Sequence, residues 1–307
     1  MKYVIFGGTG FIGQALTGYW MKEGHEVIIV SRNKDKAAAG AAGSAPAPAY
    51  RTWDELGEDP TPLEGANAFV NLAGATLSQR WSRRAKQNIL ESRLHTTREV
   101  ARLSKAITPG PDVILQASAV GIYGTSLMHE FTEKSQREPE HNDFLSGVTE
   151  QWEAAADEGF AGRRLVKLRT GVVLGNGGGA FPLMRLPFLL GVGGRIGSGR
   201  QWVPWIHLND LVRLIDFCIQ HSGISGPVNA VSPYPVSNQQ FGSCIARVYR
   251  RPDRIPLPGS ILKLLLGEMS SLLLEGQKVV PEAALQAGFT FAYPGLEEAM
   301  TELKSKK

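Results

Sequence analysis

Cysteine is almost missing from this chain: its 307 residues hold two, Cys218 and Cys244. That excludes a disulfide framework. Both thiols fall on apolar stripes at helical spacing, Leu211-x-x-Leu214-Ile215-x-x-Cys218-Ile219 and Phe241-x-x-Cys244-Ile245-x-x-Val248, where a reduced core thiol is expected. Six histidines show no metal-ligand spacing, so no metal is expected. Long apolar runs are also absent. The first one ends at Gly7-Gly8-Thr9-Gly10, too early for a signal peptide, and glycine, proline or charge interrupts every later one well short of a membrane span. A cytoplasmic or equally reducing compartment and no membrane partner are therefore expected. Charge of one sign is scarce too. A formal net of +4 is too small to argue for nucleic acid, and the cluster Arg80, Arg83, Arg84 and Lys86 reads as a solvated helical face.

What is present is an alternation. Short apolar runs at 2–6, 26–31, 68–72, 113–118 and 165–169 end in glycine or small polar residues, as strands covered on both faces should. Helical patterns at 11–23, 83–106 and about 144–158 lie between them. Repeated β-then-α order predicts an α/β fold with a doubly wound parallel sheet of the Rossmann type. Residues 37–48, mostly Ala, Gly and Pro, read as a loop or a poorly formed helix in place of a second crossover. Residues 175–179 read as a further loop, and 181–199 as the start of a second lobe. The chain returns at Trp205-Ile206-His207, runs a helix from about 209 and adds a strand near 228–231. The expected division is 1–175 with 201–232 as the nucleotide-binding domain, and 176–200 with 233–307 as a smaller, mostly helical C-terminal lobe. Gly267-Glu268 and Gln277-Lys278 are the polar groups of that tail expected to face a ligand.

Gly7-x-x-Gly10-x-x-Gly13 stands between the first strand and the first helix. The first glycine permits a tight turn, the second lets backbone N–H groups approach a pyrophosphate, and the third lets helix and strand pack closely. The start of the helix, Phe11 and Ile12, then presents free N–H groups and a partial positive charge, with Thr9 in the loop before it. The carboxylate that would hold a ribose 2′-hydroxyl at the end of the second strand is missing. Ser31-Arg32-Asn33 stands there instead, and no carboxylate follows until Asp35. A hydroxyl followed by a guanidinium suits a 2′-phosphate, which points to NADP(H). A surface arginine in a turn is the alternative.

With these features in place, the chain resembles the extended short-chain dehydrogenase/reductases. Within them it is similar to the group called epimerase family proteins. The strings that carry the likeness are Trp53-Asp54-Glu55-Leu56, Asn71-Leu72-Ala73-Gly74, Ser92-Arg93, Arg169-Thr170-Gly171-Val172-Val173-Leu174-Gly175, Pro204-Trp205-Ile206-His207 and Leu274-Glu275-Gly276-Gln277-Lys278-Val279-Val280-Pro281. The resemblance implies that Leu72, Ala73 and Gly74 line the adenosine side of the cofactor, with Val173 near the nicotinamide. Arg93 stands where ordinary members carry an ordering asparagine. It reaches the cofactor or a substrate anion, or is an exposed helix residue. Asn88 and Ser118 are placed near the cofactor by the same analogy. His207-Leu208-Asn209-Asp210 resembles a common string that opens a helix, with Asn209 or Asp210 expected as its cap.

Ordinary members also carry Ser or Thr at the end of the fifth strand and Tyr-x-x-x-Lys about 25 residues later, to pass a proton and hold the nicotinamide ribose. Aligned on Tyr123-Gly124, this chain puts Ala119 at the serine position. Phe144 and Val148 stand at the dyad positions, and neither can exchange a proton. The catalytic residues are therefore unknown. Ser118 and Tyr123 are the nearest substitutes, although Tyr123 packing under the cofactor loop explains it equally well, and Glu150 and Glu153 read as solvated or paired helix residues. Two functions follow. One is an NADP(H)-dependent epimerase or oxidoreductase with an atypical site, acting on an unidentified small molecule. The other is a non-catalytic NADP(H)-dependent regulatory or scaffold protein. A monomer or homodimer is expected.

Overall fold

The computed structural model describes residues 1–32, 47–136 and 143–306. Most of the low-complexity stretch read as a loop, residues 37–46, lies outside the described residues. Seven parallel strands form the main sheet: β1 (Lys2–Phe6), β2 (Glu26–Ser31), β3 (Ala49–Thr52), β4 (Ala68–Asn71), β5 (Val113–Ala119), β6 (Leu165–Thr170) and β7 (Gly226–Ala230). Their spatial order is β7-β6-β5-β4-β1-β2-β3. From β1 the chain winds outward to β3, then crosses back to β4 on the other side of β1. The strand direction of travel reverses between β1 and β4, and the crevice outside their carboxyl ends is where such sheets hold ligands.

Helices α1 (Phe11–Lys22), α2 (Trp53–Glu58), α3 (Arg83–Ala106), α4 (Phe144–Gly159), α5 (Phe181–Leu189) and α6 (Leu208–Gln220) follow in chain order. On one face of the sheet, Leu16 and Trp20 of α1 and Leu211, Leu214 and Ile215 of α6 bury against Tyr3, Ile5 and Leu115. On the other, Val100 and Leu103 of α3 and Ala156 of α4 bury against Val4, Phe6 and Ile114. Alternate residues of one strand thus enter opposite cores, which explains why these strands read as continuous apolar runs. Burial pushes the Cys218 thiol on α6 up to about 12, so it stays protonated and inert.

The sequence reading placed no strand or helix between 49 and 67, yet β3 and α2 lie there. Thr52 and Glu55 form a reciprocal cap at the start of α2: the Thr52 hydroxyl accepts from the Glu55 N–H, and the Glu55 carboxylate accepts from the Thr52 N–H. A four-residue edge strand has too little period to be read alone.

Beyond β7, α7 (Asn238–Tyr249), α8 (Gly259–Leu266), α9 (Ser271–Leu274), α10 (Glu282–Gln286) and α11 (Leu296–Ser305) make up the helical C-terminal region. Its core joins Phe181 and Phe188 of α5, Phe241 and Ile245 of α7, and Ala299, Met300 and Leu303 of α11. The short strand Trp205–His207 stitches the two cores together, because Trp205 points into this cluster and Ile206 into the main one. The expected cap of α6 is corrected here. His207 holds that position, its Nδ1 accepting from the Asn209 N–H at 3.2 Å. Asp210 is fully buried and instead accepts the backbone N–H groups of Ala292 and Tyr293, each at 2.8 Å. A second correction concerns the tail. Gln277 is buried and donates to the Val120 carbonyl, Lys278 pairs with Glu130, and Glu268 pairs with Lys86, so these groups tie the tail to the sheet domain.

Candidate functional site

Three glycines shape the β1–α1 turn. Gly7 has φ +80°, and a Cβ on it would lie 2.9 Å from the backbone of Ala73. A Cβ on Gly13 would lie 2.5 Å from Gly8 Cα and 2.8 Å from Gly7 O. Both are backbone-on-backbone approaches that only glycine allows. Gly10 caps α1 without a side chain and no acidic residue occupies the first turn, so the leading N–H groups at Phe11, Ile12 and Gly13 face outward as an anion cradle. The cradle fits a dinucleotide pyrophosphate on these observations alone. Thr9 lies in the turn itself, its carbonyl accepting from Gln14 Nε2.

Ser31 ends β2 and is buried, and Arg32 follows it exposed. Across the crevice, the loop after β4 carries Leu72, Ala73 and Gly74. Asn71 anchors that loop, accepting the Ala73 N–H while its amide donates to Gln116. Helix α3 grips the loop from above: Ser92 Oγ accepts the Ala75 N–H, Thr96 Oγ1 donates to the Ala73 carbonyl, and Arg93 Nη1 donates to the Ala75 carbonyl at 3.1 Å. The Arg93 guanidinium also lies over the Trp152 ring, 5.0 Å from its centroid, and burial pulls its pKa down to about 10. It is thus no exposed helix residue. Thr96 was missed by the sequence reading, since a threonine inside a helix carries no signal of the loop it holds. Asn88 stands exposed on α3, one turn before Ser92. Ile12, Leu72 and Val173 converge on one apolar cluster beneath the crevice. Gly175, Gly178 and Gly179 close around the Phe11 side chain: a Cβ on Gly175 would lie 2.5 Å from the ring, and one on Gly178 or Gly179 3.1 Å from that side chain.

At the carboxyl ends of β5 and β6 lies a buried polar network. Ser118 Oγ donates to Glu153 Oε1 at 2.6 Å. Arg169 clamps the same carboxylate in a bidentate pair, Nε to Oε1 at 2.8 Å and Nη2 to Oε2 at 2.9 Å. Its Nη1 donates to the Tyr123 hydroxyl, which in turn donates to Asn229 Oδ1 at 2.7 Å. Burial opposes charge on Glu153, but the Arg169 pair, the Ser118 hydroxyl and nearby Lys167 outweigh it and hold the carboxylate below its ordinary range. Burial pushes the Tyr123 phenol up, against the pull of Arg169. Tyr123 also stacks on Phe131, their centroids 5.2 Å apart. Glu153 is therefore a paired residue, and Glu150 on the same helix is exposed.

Phe144 and Val148 occupy the first turns of α4, which Asp143 caps through the Ser146 N–H. The Phe144 ring packs edge-on against Trp81 at 5.2 Å, and Val148 is buried with Trp81 and Ile89, with Met269 of the tail closing the cluster. Arg80, Arg83 and Arg84 are exposed, whereas Lys86 lies over the Phe144 ring.

Residues 3–230 match the NAD dependent epimerase/dehydratase family, and residues 257–303 match a domain of unknown function, DUF1731. The chain is 44% identical over 305 residues to Epimerase family protein YfhF of Bacillus subtilis, covering 99% of this chain and 98% of that one. It is 38% identical over 308 residues to Epimerase family protein SDR39U1 of Mus musculus, covering 99% of both. The crystal structure of human SDR39U1 (isoform 2) with NADPH superposes with a TM-score of 0.90 at 37% identity, covering 100% of both chains. A nucleoside-diphosphate sugar epimerase from Corynebacterium glutamicum reaches a TM-score of 0.76 at 31% identity, over 99% of this chain and 58% of that one. With its parallel sheet, its glycine cradle and these relatives along its whole length, the chain belongs to the NAD-dependent epimerase/dehydratase family of extended short-chain dehydrogenase/reductases.

Proposed function

We propose that this chain binds NADP(H) along the carboxyl edge of its sheet and acts as an oxidoreductase or nucleoside-diphosphate-sugar epimerase whose proton transfer does without the tyrosine–lysine pair. In this reading Gly7, Thr9, Gly10, Phe11, Ile12 and Gly13 cradle the pyrophosphate. Ser31 and Arg32 hold the ribose 2′-phosphate, Leu72, Ala73 and Gly74 flank the adenosine, and Val173 lies by the nicotinamide. Residues 176–200 and 233–307 form the lobe on the substrate side. NADPH in the human relative and an arginine at the end of β2, with no carboxylate there, support the cofactor choice. A charge-assisted arginine–phosphate contact contributes about 1.5–3 kcal/mol, or roughly tenfold to 150-fold in affinity. Arg32→Asp should weaken NADPH by that factor and spare NADH. Equal affinity of the wild type for both cofactors in a fluorescence titration would defeat the choice.

The observation that carries the altered chemistry is that Phe144 and Val148, neither able to offer a proton, pack among Trp81, Ile89 and Met269, while Lys86 over the Phe144 ring is paired with Glu268. Bound cofactor supplies a hydride donor or acceptor at the nicotinamide, and the chain must leave proton transfer to another group. General acid–base assistance is worth about 10²–10⁴ in rate, so ordinary carbonyls and nucleotide sugars should turn over slowly. A second reading, a non-catalytic NADP(H)-dependent regulatory or scaffold protein, is favoured by the commitment of both the Ser118 and Tyr123 hydroxyls to buried partners. NADPH oxidation across a carbonyl panel, with cofactor binding measured in parallel, separates the two. Fast turnover abolished by Tyr123→Phe establishes a relocated acid and sinks the regulatory reading. Binding without turnover favours the regulatory one.

A further inference from the structure

Apolar side chains left in solvent are concentrated in one region of the molecule. Leu183, Leu190 and Val192 stand exposed on and just after α5, and Ile255, Leu264 and Leu265 on and just before α8. Helix α8 is the extreme case: Leu264 is 84% and Leu265 67% exposed, and Leu262 alone of its apolar residues is buried. A helix apolar on nearly every side is stable only when something covers it. The two segments lie side by side. The Ile255 N–H donates to the Gly193 carbonyl, the Leu257 N–H to the Arg195 carbonyl, and the Gly197 N–H to the Leu257 carbonyl. Residues 193–197 and 255–257 therefore form one ladder that leads from α5 to α8, with Val192 just before it.

Charge on these segments departs from the rest of the chain. Residues 181–200 and 247–266 carry eight basic side chains and a single acidic one, for a net of +7 in a chain whose total is +4. The remainder is therefore net negative. Arg195, Arg251, Arg254 and Lys263 are exposed and have no carboxylate partner among the described residues. The ladder brings Arg195 and Arg254 to the rim of one cavity of about 210 Å³, which Gln239, Ser243 and Asp253 also line. Among the described residues no helix is long and apolar enough to cross a membrane, and α8 has only eight residues, so the apolar face can enter a bilayer no deeper than its boundary.

We propose that this face docks the protein on the surface of an anionic lipid bilayer. The leucines of α8 and α5 enter the acyl boundary while the surrounding arginines meet headgroup phosphates, with the Arg195–Arg254 cavity taking one of them. Exposed apolar area and unneutralised basic charge on one face are what interfacial binding uses, and an acyl surface alone would leave the charge unexplained. This departs from the expectation of no membrane partner, which rested on the lack of a membrane-spanning run, and it is independent of the proposed function.

The test is flotation of the full chain with vesicles of phosphatidylcholine, or of phosphatidylcholine with a quarter of phosphatidylglycerol. The bound fraction should rise about tenfold with the anionic lipid and fall back at high salt, because surface charge pairs are screened. Leu264→Gln with Leu265→Gln, and separately Arg195→Gln with Arg254→Gln, should each lower binding about tenfold while NADPH affinity and Tm stay unchanged. Equal flotation with neutral vesicles, or binding indifferent to both double variants, overturns the proposal. So does a wild-type dimer in light scattering that the leucine variant converts to monomer, since a second copy would then be the occupant.

Discussion

At the scale of single residues, two positions tolerate no substitute for different reasons. Gly13 is held by space: any side chain must push α1 away from the β1 turn, since its Cβ would meet backbone rather than a yielding side chain. Gly13→Ala should cost about 1–3 kcal/mol, read as a shift in denaturant midpoint, and lower NADPH affinity in the same protein. Unchanged affinity would mean that the cradle is not where the cofactor sits. Glu153 is held by charge. Its carboxylate neutralises Arg169 inside the protein, so Glu153→Gln strands a guanidinium and should cost about 3–5 kcal/mol. Because the folded protein holds this carboxyl below its unfolded value near 4.5, the pair stabilises fully above that value, and its contribution is lost as pH falls through the folded pKa. Acid unfolding of the Gln variant should therefore show a weaker dependence on pH than that of the wild type. Ser118→Ala, which removes one neutral donor from the same carboxylate, should be much milder.

At the scale of elements, α6 shows how a cap couples to pH. Burial keeps His207 below its ordinary value of 6.5, against the pull of Glu302 and Asp210 and with Lys306 opposing the charged form. Its Nδ1 accepts the Asn209 N–H, so the proton sits on Nε2, facing Glu302 at 3.1 Å. A group charged more easily in the unfolded chain stabilises the fold above about 6.5 and loses that contribution as pH drops below it. His207→Asn keeps a capping oxygen and titrates nowhere in this range. Its Tm should fall less than that of the wild type between about pH 7 and about pH 5, and His207→Ala should cost about 0.5–2 kcal/mol at neutral pH. An equal fall in wild type and Asn variant would remove His207 as the cause. This cap was not legible in the sequence, because imidazole is a rare capping group and two better ones, Asn209 and Asp210, stand beside it. The strands β1, β2, β4, β5 and β6 were legible, since burial on both faces gives β1, β2 and β4 near-continuous apolar runs and leaves the apolar residues of β5 and β6 broken only by single polar ones. β3 was not, because all four of its residues are only half-buried. In the crevice, the Gly7-Gly10-Gly13 spacing announced the cradle through backbone needs written in residue type. The bidentate partner of Glu153 lies sixteen residues away on another element, and no local pattern carries such a distance.

At the scale of the whole molecule, the tail is fastened to the sheet domain at separated points. Asp210 holds the backbone at Ala292 and Tyr293, Gln277 reaches Val120, and Lys278–Val279 lies in parallel beside Glu130–Phe131. Removing everything after Pro233 would uncover Phe181, Phe188 and Trp205 and leave Asp210 buried with no backbone donors. Such a chain should lose solubility and melt well below the full-length protein. A soluble, monomeric fragment of unchanged Tm would show the tail to be a separate appendage. The fastening has a consequence for biogenesis. Gln277 and Val120 stand 157 positions apart, and Asp210 waits for residues 292 and 293. Contacts so distant along the chain close late, and synthesis supplies about 5–20 residues per second. A nascent polypeptide that has already emerged through β7 must keep its half-built crevice from aggregating until residues 292 and 293 have been synthesised.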